Sequence, residues 1–127
     1  MLFRSDQPER FFAAEMVREK LLQFTHAEIP FSSAVVVERF EEPEGPKDVL
    51  RIHCTIIVDR ESQKPIVVGR GGEMIKKIGT AARQEMEKFF DTRVFLDLHV
   101  RVKSEWREDD RILHDIGVHG RDRGGRS

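Results

Sequence analysis

Between Pro65 and Gly79 the chain reads PIVVGRGGEMIKKIG, and Gly69, Gly71 and Gly72 fall within four positions. Glycine loses more backbone entropy on folding than any other residue, so such a cluster needs a compensating use. One use is close approach of backbone N–H groups to a phosphate, helped by the helix dipole where a helix follows directly. Two nucleotide-binding signatures fail on spacing. The phosphate loop of nucleotide hydrolases needs G-x-x-x-x-G-K-[ST], and no such run occurs. The dinucleotide fingerprint G-x-G-x-x-G fails because Ile75 stands three residues after Gly72. What remains is G-x-x-G, Gly69-Arg70-Gly71-Gly72, set between two helical patterns. A tight turn without side-chain bulk suits a sugar–phosphate backbone.

Charge gathers around this loop. The whole chain carries a net −1, but Arg60 to Arg83 holds six basic residues (Arg60, Lys64, Arg70, Lys76, Lys77, Arg83) against Glu61 and Glu73. That segment is +4, so the remainder is −5. The other reactive side chains offer less. Cys54, the single cysteine, lies in an apolar strand-like run and reads as an inert core thiol. His53 beside it must point to the opposite face of a strand, so the two cannot easily share a metal. No C-x-x-C or H-x-x-x-H pattern exists, and no metal or other cofactor is expected. His99 is expected to be solvated. No serine–histidine–aspartate or paired-carboxylate arrangement supports catalysis.

Six elements must position the loop. Asp6-Gln7-Pro8-Glu9 reads as a helix start, and apolar residues at Ala14, Val17, Leu21 and Phe24 carry the helix to about Phe24. Phe11, Phe12, Val17 and Leu21 are expected in the core, and Pro30 is expected to end any continuation. Ser33 to Glu41 and Val49 to Asp59 read as strands joined by the loop EEPEGPKD, hence an antiparallel hairpin. In the second strand Leu50, Ile52, Cys54, Ile56 and Val58 share a face. SQKPIVVG reads as a short helix capped by Ser62, with Pro65 in its first turn. Gly72 to Phe90 reads as a longer helix with Met74, Ile75, Ile78, Ala82, Met86 and Phe89 at helical spacing. Arg93 to Lys103 alternates cleanly, Val94, Leu96, Leu98, Val100 and Val102 against Asp97, His99, Arg101 and Lys103. Trp106 follows and is expected against the first helix, with stacking on a base as the alternative. The order α-β-β-α-α-β gives an α+β class, one three-stranded sheet with helices packed on one face.

That order, with G-x-x-G between its second and third helices, is the type II KH arrangement, in which the glycine loop clamps about four nucleotides of single-stranded nucleic acid. Four stretches make the resemblance specific: PERFFAAEMVREKLL (8–22), EIPFSSAVVVERF (28–40), IVVGRGGEMIKKIGTAAR (66–83) and VFLDLHVRVKSEWR (94–107). Together they resemble the C-terminal KH domain of the Era family of bacterial ribosome-assembly GTPases. The resemblance implies an RNA-binding domain over residues 1–117, and the charged end HGRDRGGRS reads by its composition as a disordered tail over 118–127. After Asp115-Ile116-Gly117-Val118 the chain runs on where that family stops near an aromatic residue.

The resemblance implies a ligand, the single-stranded 3′ end of small-subunit (16S) ribosomal RNA, and a role in assembly of the small ribosomal subunit. It also implies that the chain is the C-terminal part of a longer protein whose GTPase domain is its partner, and that this portion has no catalysis of its own. A KH-like fold used for protein docking is the alternative. The expected RNA-contacting residues are Gly69, Arg70, Gly71, Gly72, Lys76, Lys77 and Arg83, over an apolar floor drawn from Ile56, Ile57, Val58 and Ile75. The groove is expected between the loop and the second strand, Arg51 to Asp59. The family implies a cytoplasmic place, with peripheral attachment at the inner membrane. A monomer is expected, and no apolar run approaches the roughly 18 residues of a membrane span.

Overall fold

The computed structural model describes residues 6–26 and 28–116; the expected tail, 118–127, lies outside them. Helix α1 (Asp6–Phe24) leads into a single helical turn, α2 (Glu28–Phe31). Pro30 sits inside that turn, buried, and does not merely stop the preceding helix. In so short a turn its missing N–H forfeits no hydrogen bond. Strands β1 (Ser33–Glu41) and β2 (Leu50–Val58) form the expected antiparallel hairpin, with a register shift between Val37 and Arg39. Then come α3 (Lys64–Val68), α4 (Glu73–Phe90) and β3 (Val94–Val102). A last short helix, α5, spans Asp110–Asp115.

The sheet order is β1-β2-β3, and β3 runs parallel to β2. A parallel return requires a crossover, which α3 and α4 supply. β2 is therefore central. Ile52, Ile56 and Val58 have no exposed surface and Cys54 has 1%. These side chains pack beneath α1, α3 and α4, with Val17, Leu21, Val67, Ile78, Ala82 and Met86 completing the main core. Burial, aided slightly by the charge of Glu38, pushes the Cys54 thiol up to about 12.

Two expectations for the core fail. Phe11 and Phe12 remain 53% and 42% exposed, while Val17 and Leu21 are fully buried. Phe89 is likewise exposed, and its neighbour Phe90 packs inward instead. On α1 the inward position next to the two rings is taken by Ala13, with no exposed surface, and on α4 by Phe90, since a helix turns one face inward about every 3.6 residues.

The second face of the sheet is partly covered as well, an addition to the expected layering. Trp106 and Ile112 pack over Ala34, Val36 and Ile57, with Leu113 and Ile116 alongside. Trp106 thus lies across the sheet from the first helix. Its indole Nε1–H donates to the Ser32 carbonyl at 3.0 Å. α5 is held by its cap, Asp109, whose carboxylate accepts from the N–H groups of Arg111 and Ile112.

The cap expected of Ser62 is absent, since Ser62 lies within a 3-10 turn, Glu61–Gln63. Gln63 does comparable work. Its Oε1 accepts from the N–H groups of Asp59 and Arg60, each at 3.0 Å, and its Nε2 donates to Ser32 Oγ at 2.8 Å. This buried amide ties the end of β2 and the start of α3 to the turn after α2, fixing the entry to the glycine loop.

Candidate nucleic-acid interface

The three loop glycines all have positive φ, for different reasons. Gly69 takes φ 80°, ψ 172°, a region open essentially to glycine alone. A Cβ there would lie 2.6 Å from both the N and the Cβ of Met74. Gly69 is thus fixed by the first turn of α4. Gly71 (φ 61°) and Gly72 (φ 81°) are also left-handed, but a Cβ at either meets nothing within 4 Å. The Gly72 N–H is given to the Gly69 carbonyl at 3.1 Å, but the open space at both positions lets a sugar–phosphate backbone approach the loop and the start of α4. Arg70, between Gly69 and Gly71, is exposed.

The expected contact residues do not all gather here. Lys76 is exposed within the first turns of α4, and among the described residues no carboxylate pairs with it. Lys77 turns toward α1, its Nζ 4.4 Å from the centre of the Phe24 ring. Arg83 is paired with Glu87 at 3.2 Å and stands about 16 Å along the helix from the loop. It is not part of the clamp.

The expected floor is largely wrong. Ile56 and Val58 belong to the main core with no exposed surface, and Ile57 is buried under Trp106 on the opposite face. Only Ile75 retains partial exposure. The groove cannot run beside β2, because β1 and β3 occupy both its edges.

The edge next to the loop and its helices is β3. The Arg93 carbonyl accepts from Leu50 N–H at 2.9 Å, and Lys103 N–H donates to the Val58 carbonyl at 2.9 Å. In a parallel ladder alternate residues bond the same neighbour, so the backbone groups of Leu96, Leu98 and Val100 point outward. Their half-buried side chains lie against the main core. α4 closes on this edge at Gly79, where a Cβ would meet Leu98 Cδ1 at 3.5 Å. The strand β3 is legible in the sequence, but neither its place at the edge beside the loop nor the close approach at Gly79 is. A glycine inside a strong helical pattern costs about 1 kcal/mol and was the available signal.

The other edge is closed. Arg10 of α1 donates to the Val37 carbonyl at 2.9 Å, and Arg18 to the Ser33 carbonyl at 3.5 Å.

Other features do not compete for nucleic acid. The concavity under the β1–β2 loop is lined by Glu41, Glu42, Glu44, Lys47, Asp48 and Arg51, and acidic groups prevail. N–H bonds from Glu44 and Val49 and the Arg51 guanidinium hold Asp48 down to about 2. On the outer face of the sheet Asp97 Oδ2 lies 2.9 Å from His99 Nε2 and 3.3 Å from His53 Nδ1. His99 is therefore partnered as well as exposed. Among the described residues no group of three or more His, Cys, Asp or Glu is arranged to hold a metal, and no helix is long and apolar enough to cross a membrane.

The sequence model of the KH domain matches residues 28–107. GTPase Era of Syntrophus aciditrophicus (strain SB) is 56% identical over 113 residues, covering 89% of this chain and 37% of that protein. GTPase Era of Neisseria meningitidis serogroup B is 49% identical over 114 residues, covering 90% and 36%. A crystal structure of an Aquifex aeolicus Era variant bound to GDP and aluminium fluoride superposes with a TM-score of 0.79 at 41% identity, over 89% of this chain and 38% of that one. Era in complex with MgGDPNP and nucleotides 1506–1542 of 16S ribosomal RNA gives 0.79 at 40% identity, over 93% and 40%. The chain thus spans little more than a third of the length of the curated relatives it matches. Their GTPase portion has no counterpart in it. The matched span, the αββααβ order and the glycine loop agree: the chain belongs to the KH-domain family, in the form that Era GTPases carry as their C-terminal part.

Proposed function

We propose that this chain binds single-stranded RNA, and that its ligand is the 3′ end of small-subunit ribosomal RNA, in the course of small-subunit assembly. The observation that carries the reading is the loop: left-handed Gly71 and Gly72 with empty space over their backbone, directly ahead of α4. The similarity to an Era chain whose complex contains nucleotides 1506–1542 of 16S ribosomal RNA supports the choice of ligand. The loop and the first turn of α4 take the phosphates, with Arg70 and Lys76 neutralising charge. Bases lie over Ile75 and the β3 edge, where the outward N–H and C=O groups of Leu96, Leu98 and Val100 can read their edges. The GTPase portion known from the relatives is the partner to which such binding would be coupled.

The test is a fluorescence-anisotropy titration of short single-stranded RNAs, including the 16S 3′ sequence, against the wild type and the Arg70→Asp/Gly71→Asp double variant. Aspartate tolerates a left-handed φ, so the fold should persist. Binding should fall at least about tenfold, about 1.4 kcal/mol. Equal affinities in the two proteins would sink the clamp.

A further inference from the structure

Three turns meet where α3 leaves the sheet, and each is hydrogen-bonded to the other two. Gln63, in the turn after β2, reaches the turn after α2, its Nε2 donating to Ser32 Oγ at 2.8 Å. Ser32 reaches the turn after β3, its carbonyl accepting from the Trp106 indole at 3.0 Å. Glu105 of that third turn returns to the first, its N–H donating to Asp59 Oδ1 at 2.7 Å. Glu105 is left-handed at φ 56°, a conformation that persists only where the surroundings hold it. The knot closes on the Gln63 side chain, whose Oε1 accepts from the N–H groups of Asp59 and Arg60 at 3.0 Å each. Gln63 is 5% exposed, although its neighbours Ser62 and Lys64 are open to solvent.

The glycine loop hangs from this knot. α3 is five residues long, too short to be stable by itself. Val67 is its one buried side chain, whereas Lys64, Pro65 and Ile66 are exposed. A single buried side chain fixes a point and leaves the helix axis free to swing about it. The Gln63 bonds, at the start of α3, supply the second fixed point. The loop follows the helix, since the Gly69 N–H donates to the Pro65 carbonyl at 2.7 Å. Gly69 also sits against Met74 without room to spare, so a swing of α3 displaces the loop instead of being absorbed there.

We propose that Gln63 is the positioning residue of the RNA clamp: its buried amide holds α3 and the glycine loop in the orientation that takes phosphates, and Trp106 acts on the same loop through Ser32. Both side chains are buried and act without touching RNA. This rests on the reading that the glycine loop binds RNA. Without the amide the loop samples orientations that do not bind, and apparent affinity falls with the fraction that stays competent.

The test compares the wild type with Gln63→Met, which keeps the length of the side chain and removes its bonds. Single-stranded RNA with the 16S 3′ sequence is titrated by anisotropy at several salt concentrations, under conditions where both proteins are folded. Affinity should fall at least about tenfold, as when a tenth of the loops stay competent. The slope of log K against log salt should match the wild type, because the phosphate contacts of the bound state are unchanged. In NMR spectra of the free variant the amide signals of Gly69, Gly71 and Gly72 should shift or broaden, and saturating RNA should return them to the wild-type bound positions. Trp106→Phe should weaken binding at least about twofold alone and add nothing to Gln63→Met, since both act through one route. A merely structural role would lower the unfolding midpoint and leave affinity and glycine signals unmoved, and that result overturns the proposal. So does a flattened salt slope, which would make Gln63 a contact. Additive losses overturn the route through Ser32. If Gln63→Met does not fold, Ser32→Ala must show the same loop shifts and bind at least about twofold more weakly. The two readings fail separately: a wild type that binds no RNA defeats the RNA assignment, whereas unmoved glycine signals in Gln63→Met defeat the positioning role whether or not RNA binds.

Discussion

Gly69 and Gly71 look equivalent in the sequence and are opposites in the structure. Gly69 is hemmed in by Met74, so Gly69→Ala should cost about 1–3 kcal/mol in urea unfolding. Gly71→Ala meets no neighbour and should cost about 1 kcal/mol, the ordinary penalty for a left-handed residue with a Cβ. Equal losses would show that the loop does not close on α4 as described. Cys54 gives a second residue-scale outcome. Its folded pKa, about 12, lies above its ordinary 9.0, so its contribution is complete below pH 9 and is lost as pH rises toward 12. Across that window wild-type stability should fall more steeply than that of Cys54→Ala, by about 1.4 kcal/mol per pH unit at most. Below pH 9 a thiol reagent should modify Cys54 only as fast as the protein opens. Immediate modification at pH 8 would contradict its burial.

At the scale of elements, what the sequence revealed and concealed divides by length and periodicity. The boundaries of α1, α4 and the three strands were legible to within a residue, because each repeats its pattern over nine residues or more. α2 and α5, four and six residues long, have no period to detect. The run Ile56-Ile57-Val58 marked a strand without showing what lay over its second face. That cover is Trp106 with Ile112, which are separated by charged residues and become one surface only when the turn and α5 fold. Reading Ile57 as a base platform failed for this reason, and Val58 failed because it faces the main core. Ile57→Asn should therefore lower stability by several kcal/mol instead of reordering RNA preferences, since it buries an unpaired amide. Trp106→Ala should cost about 3–5 kcal/mol. Trp106→Phe, which keeps most of the packing but drops the bond to Ser32, should cost less. Thermal melts of the three variants check this, and a fully stable Trp106→Ala would mean that the second cluster contributes nothing.

Across the whole molecule, a net charge of −1 conceals a division between a basic loop region and an acidic remainder. Affinity for RNA should therefore depend steeply on salt despite the near-neutral total. Removing one cation that neutralises a phosphate should flatten the slope of log K against log salt by about 0.7 for a single strand. Lys76→Ala should show that change. Lys77→Ala should show less, because its ammonium sits over Phe24. Identical slopes for both variants and the wild type would remove the lysines from the interface. The two margins of the sheet differ in a related way. α1 occupies the margin at β1 through Arg10 and Arg18, whereas β3 offers the backbone of Leu96, Leu98 and Val100 to whatever arrives. A margin with which no other strand pairs among the described residues is also a template for self-templated fibrils. Ligand-free protein held at high concentration should therefore deposit amyloid through β3, and saturating RNA should delay that deposition, so that the nucleic acid also serves its binder as an anti-aggregation guard.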